Sequence, residues 1–229
     1  MVIELWGLPG CGKSAAAEYL ASRLRAHGIS VTTPSADVAS LSSRARWVRK
    51  AWMVLVLFMR APRRFYAVRK LVANSQQASF RDGVTAFLDL VVSQSRPVPM
   101  QENSIAIYDQ GLLQALVTTC FASNLDATPQ LHDAIQLPDC AVRMKCSQDT
   151  VTQRLLQREE QLSRVQRDIA TGIRNTNHIL DKISISPWYQ AISFHWVIEN
   201  DGTIGSMNKQ VDELVYRLLR GTEGPDICR

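Results

Sequence analysis

Eight residues near the amino terminus, Gly7-Leu8-Pro9-Gly10-Cys11-Gly12-Lys13-Ser14, set glycines, a lysine and a hydroxyl at the spacing G-x-x-x-x-G-K-[ST], which suits the capture of a polyphosphate. Glycine tolerates positive φ, so successive backbone N–H groups turn inward on phosphate oxygens, and a following helix adds the positive end of its dipole. Lys13 brings a mobile cation to the β- and γ-phosphates of ATP, and the Ser14 hydroxyl can enter the shell of a Mg²⁺ ion. The nucleotide-binding surface is expected to run from Gly7 through Leu8, Pro9, Gly10, Cys11, Gly12, Lys13 and Ser14 to Ala15, with Cys11 contributing backbone rather than thiol. Residue frequencies alone would produce this pattern in about one chain in a hundred of this length. A plain glycine turn gives no reason for the lysine and serine.

Three further groups carry chemistry. Asp109 ends the apolar run Ser104-Ile105-Ala106-Ile107-Tyr108, where a carboxylate can orient Mg²⁺ or its water; the competing reading is a capping role before Gly111. Asp37 stands beyond a second apolar run and is the candidate to orient or deprotonate an acceptor hydroxyl, with Asp109 as the second candidate. Arg154 and Arg158, four apart, share a helical face; guanidinium suits both stacking on a base and forking onto phosphate, against a salt-bridged surface helix with Glu159 and Glu160. His27, His132, His178 and His195 are isolated from one another and from the cysteines, which gives no zinc-ligand spacing.

The elements that must position these groups follow from patterning. Val2 to Trp6 is an apolar strand, Ser14 to His27 a helix ended by Gly28, and Ile29 to Thr33 a second strand. Ser104 to Asp109, Cys140 to Lys145 and Phe194 to Glu199 are further strands, interleaved with helices at Leu112 to Phe121, from about Ser147, and at Thr203 to Arg220. Strand and helix alternation predicts an α/β fold of three layers, with a mostly parallel five-stranded sheet covered on both faces. Ligands of such sheets bind at the carboxyl ends of the strands. Residues 41–95 read as an inserted helical subdomain broken at Pro62, with Trp47, Trp52, Phe58 and Phe65 among basic residues and the ordinary expectation that such aromatics are core.

Composition narrows the class. At 229 residues and 46% hydrophobic content the chain suits one compact domain, 1–229. Five scattered cysteines and an apolar strand directly after Met1 lead to the expectation of a reducing, cytoplasmic setting. The net charge of +5 is unevenly spread: residues 38–81 hold ten Lys and Arg and no Asp or Glu, while the rest is net acidic. An anionic contact for this segment follows, whether substrate or membrane surface through residues 44–70, against a simple solvated face. Nucleic acid is not expected, and a homodimer stays open.

With these residues in place the chain resembles the P-loop kinases of the nucleoside and nucleotide kinase-like superfamily, among them thymidylate, adenylate and shikimate kinases. The resemblance covers most of the chain in element order and is specific in the phosphate loop. It implies an ATP- and Mg²⁺-dependent phosphotransferase with a lid over residues 154–170. In that likeness Arg154 packs on adenine, Arg158 reaches the phosphates, Arg164 closes over the transferring group, and Asn200-Asp201-Gly202 holds the adenine edge, where a plain turn is the alternative. Residues 41–95 then occupy the acceptor-binding position. Gln110 follows Asp109 where nucleotide kinases carry arginine, which argues against a nucleoside monophosphate acceptor. The competing function is a nucleotide-dependent ATPase or switch whose basic insert meets an anionic membrane or nucleic acid.

Overall fold

A computed structural model describes residues 1–34, 43–95, 104–123, 131–157 and 169–221. Strands β1 (Val2–Gly7), β2 (Ser30–Thr32), β3 (Ser104–Tyr108), β4 (Cys140–Lys145) and β5 (Phe194–Glu199) form one parallel sheet in the order β2-β3-β1-β4-β5. The central strand β1 is buried at every position after Val2, as a strand covered on both faces must be. Its register pairs Glu4 with Tyr108 of β3 and Gly7 with Met144 of β4. The chain leaving β1 therefore emerges between the carboxyl ends of two neighbours that run to either side. This is the topological switch point, where an open α/β sheet forms its crevice.

Helices α1 (Lys13–Ala26), α2 (Ser43–Arg60), α3 (Pro62–Asn74), α4 (Phe80–Gln94), α5 (Leu112–Phe121), α6 (Gln148–Leu156), α7 (Ile169–Ser184), α8 (Pro187–Gln190) and α9 (Ile204–Gly221) are set around the sheet. α1 and α9 pack together on one face, locked by Arg23 and Tyr19 on Asp212, while α5 packs on β1 and α7 from the other. The layers and the sheet agree with the expected architecture. α7 and α8 add to the elements that patterning predicts. The apolar period of α7 is interrupted by Arg174-Asn175-Thr176-Asn177-His178, although Ile173, Leu180 and Ile183 are buried.

The helical insert joins the domain through α4, which packs on α5 and carries α2 and α3 on its other side. Pro62 starts α3 at its first turn, where a missing N–H costs nothing. Lys50 of α2 pairs with Asp89 of α4 at 2.9 Å, and Gln94 exchanges two hydrogen bonds with the backbone of Gln136. Phe65 meets Phe58 and Phe87 edge to face. The expectation that the insert's aromatics are core holds for Phe65 and fails for Trp47 and Trp52, each 63% exposed, and for Phe58, 45% exposed. A three-helix layer has one inward stripe per helix, and these two indoles lie outside that of α2.

Candidate functional site

β1 runs straight into the phosphate loop. Gly7 (φ 149°) and Gly12 (φ 91°) are glycines for two reasons each: the left-handed region of the backbone, and a neighbour that leaves no room for a β-carbon. At Gly7 the neighbour is the Met144 carbonyl; at Gly12 it is the side-chain amide of Asn200. Gly12 is also the N-cap of α1 and supplies no side-chain cap, so the first-turn amides of that helix face outward for an anion. Lys13 Nζ donates to the carbonyls of Gly7 (3.0 Å) and Leu8 (2.8 Å), which holds the ammonium over the loop itself.

Two oxygen donors meet beside the loop. Ser14 Oγ donates to Asp109 Oδ2 at 2.6 Å, and Asp109 Oδ1 is buried with no hydrogen-bond partner among the described residues. A buried carboxylate oxygen is expensive to leave unmatched. Hydroxyl and carboxylate side by side form a hard oxygen donor set of the kind that binds Mg²⁺ directly or through its waters. The residues present fit that ion.

A shell of side chains fixes the loop. Asn200, 6% exposed, donates from Nδ2 to the Cys11 carbonyl (2.9 Å), and its own N–H donates to Lys145 O. Asp201 accepts the Ser147 N–H at 2.5 Å, at the start of α6; that bond is the main reason its carboxyl sits below the ordinary carboxylate range. Arg154 Nη1 lies 3.6 Å from Cys146 Sγ, and burial pushes the Cys146 thiol up to about 11, so this sulfur is a neutral packing atom at physiological pH. Glu4 points from β1 toward α5, where its Oε1 accepts the Gln114 N–H (3.1 Å), and Gln114 Oε1 in turn accepts the Gly7 N–H (3.3 Å). Its carboxylate also sits where a side chain on Gly111 would have to go. Arg143, opposite Trp6 on the neighbouring strand β4, is fixed by Asp181 (2.6 Å) and Ser184 (2.8 Å) and lies over the Trp6 ring.

Gly7 to Ala15, Asp109, Arg154, Asn200 and Asp201 thus share one end of the sheet. A cleft of about 330 Å³ opens to one side of the loop, between β4, β5 and α7; Leu8 and Asp201 line it with Arg143, Cys146, Asn177 and Glu199, whereas Lys13, Ser14 and Asp109 do not. Gly202 lies in the exposed turn before α9. Asp37, Arg158 and Arg164, with most of the lid segment, fall outside the described residues; α6 ends at Leu156 with Gln157 as its C-cap. Glu4, Gln114 and Arg143 were not anticipated. The signal for Glu4 was available: a lone acid inside an otherwise apolar parallel strand needs a buried partner.

No protein-family model and no curated protein sequence matches the chain. Solved structures do. Deoxyadenosine kinase from M. mycoides with bound dATP is similar at 12% identity, with 96% of this chain and 100% of that chain covered and a TM-score of 0.53. The same enzyme with dCMP and a flexible dCDP bound gives 13% identity over 96% and 99% of the two chains, with a TM-score of 0.48. The first of these likenesses, together with the sheet order, establishes that the chain has a P-loop kinase fold.

Proposed function

We propose that this chain is an ATP- and Mg²⁺-dependent phosphotransferase that moves the γ-phosphoryl group to a small or medium-sized acceptor bearing a hydroxyl or phosphate. The observation that carries the reading is the Ser14–Asp109 contact of 2.6 Å, with the second Asp109 oxygen buried and open to a donor, at the mouth of a loop built for phosphate. Bound there, Mg²⁺ would supply charge neutralisation at the β- and γ-phosphates. Lys13 exchanges the Gly7 and Leu8 carbonyls for phosphate oxygens, while the loop amides and the α1 amino terminus hold the remaining charge. The acceptor oxygen attacks the γ-phosphorus as the bond to the ADP leaving group breaks; the acceptor proton passes to Asp37, with Asp109 as the alternative base.

Arg154 on adenine, Arg158 and Arg164 as the phosphate-facing lid arginines, and Asn200-Asp201-Gly202 beside the base complete the donor side of the proposal. Residues 41–95 form the acceptor side. A nucleoside is the first acceptor class to test, because the fold is shared with a deoxyadenosine kinase and because a hydroxyl acceptor does not require an arginine at Gln110. ADP release measured with nucleosides, nucleotides, sugars and amino sugars tests the reading. Turnover that depends on one acceptor class and disappears in Lys13→Ala supports it. Acceptor-independent turnover, or turnover stimulated by anionic lipid or RNA alone, would replace it with the ATPase or switch.

A further inference from the structure

The catalytic end of the sheet leaves one large feature of the chain unused, the outer face of α2. Trp47, Val48, Trp52, Leu55, Phe58 and Met59 are between 45% and 71% exposed. At 3.6 residues per turn these six fall within an arc of about 140°. The inward face is separately accounted for: Leu57 is buried in the core and Lys50 is bound to Asp89 of α4. Arg49 and Arg60 occupy the adjoining strip of the helix, within about 80° of Trp52. Beyond them α3 exposes Arg63, Arg69 and Lys70, with Tyr66 53% exposed beside Phe65, which links it to Phe58.

Scattered exposed hydrophobics need no explanation, but a contiguous stripe carrying two indoles does. We propose that α2 is an interfacial helix by which the folded protein docks on an anionic membrane surface, its apolar face in the acyl boundary and its arginines at the headgroups. Charge decides the occupant. Residues 38–81 contain ten Lys and Arg and no acid, so a second copy seated on the same stripe would bring two basic rims together with no carboxylate from this segment to neutralise them. A bilayer with anionic headgroups presents an apolar phase bordered by negative charge, the complement of this helix. Among the described residues no helix is long and apolar enough to cross a membrane, which leaves docking along the surface rather than insertion across it. The proposal stands independently of the phosphotransfer reading.

The test uses the full chain with sucrose-loaded vesicles of phosphatidylcholine alone and of phosphatidylcholine with about 30% phosphatidylglycerol. Expected are cosedimentation with the anionic vesicles, a blue shift of tryptophan emission, and release as salt rises well above physiological strength. Trp52→Glu combined with Leu55→Glu changes only exposed positions and should lower vesicle affinity at least tenfold while circular dichroism and Tm stay unchanged. Arg60→Glu should weaken anionic-vesicle binding about fivefold, the equivalent of one headgroup contact of about 1 kcal/mol, and leave phosphatidylcholine binding unaffected. Absence of binding to anionic vesicles at low salt overturns the proposal, as does equal binding by the Trp52/Leu55 variant. A dimer in light scattering that Trp52→Glu converts to monomer, with no vesicle binding by the unmodified chain, assigns the face to a second copy instead.

Discussion

Ser14 and Asp109 stand 95 residues apart in sequence, yet their oxygens meet at 2.6 Å because the parallel pairing of β1 with β3 aligns the two strand ends. Asp109→Asn keeps the volume and one hydrogen bond while removing the charge, so the test isolates charge. It is predicted to lower kcat by at least about 100-fold and to shift the Mg²⁺ dependence to higher concentration, with Tm nearly unchanged. A variant with the original Mg²⁺ profile would return Asp109 to the capping role before Gly111. Lys13→Ala is predicted to abolish turnover with the fold intact, since among the described residues its ammonium bonds to carbonyls and a sulfur of the loop it serves. Both predictions concern single side chains.

At the scale of elements, the loop after β5 holds the loop after β1. Gly12→Ala forces a side chain into a left-handed residue and against the Asn200 amide, and is predicted to cost about 1–2 kcal/mol or more, a Tm loss of about 2–8 °C, together with nucleotide affinity. Asn200→Ala leaves the Cys11 carbonyl without its amide and should cost about 1–3 kcal/mol in urea unfolding. Asp201 adds a pH dependence. Its folded pKa is lowered by the Ser147 N–H, so it contributes stability above the unfolded carboxylate range near 4 and loses it as pH falls through the folded value. Asp201→Asn should therefore flatten the acid limb of a Tm-against-pH curve and leave the neutral-to-alkaline part parallel to the original. Unchanged curvature would show that the α6 start is held by Ser147 and Thr150 alone.

For the molecule as a whole, the proposed donor site predicts ligand-linked stability independent of any acceptor. Mg²⁺·ATP at 100 times its Kd should stabilise the folded chain by about 2.7 kcal/mol, a Tm gain of about 5–10 °C, and chelation of the metal should remove part of it. Lys13→Ala should show little gain. Differential scanning fluorimetry with a nonhydrolysable ATP analogue checks this without turnover. The same scan with candidate acceptors added distinguishes an acceptor from a bystander, because an acceptor raises Tm further only if both halves of the site are present.

Local chemistry explains what was legible in the sequence. The phosphate loop, the five strands, the helical insert and the break at Pro62 are all written in short-range features: glycine spacing, runs of apolar residues and one missing N–H. The sequence by itself therefore determined an α/β chain with a glycine-rich loop after its first strand and the position of Lys13 and Ser14 at the head of α1. Only the tertiary structure decided which distant residues complete that site. Glu4 reaches Gly7 through Gln114 of α5, and Asn200 crosses 189 positions to the Cys11 carbonyl, contacts that no local period encodes. Burial was likewise decided in three dimensions. Trp47 and Phe65 sit in similar basic, aromatic surroundings in sequence, yet the packing of α3 on α4 encloses the ring of Phe65 against Phe87, while Trp47 stays in solvent on the face of α2 that no described helix of the domain covers.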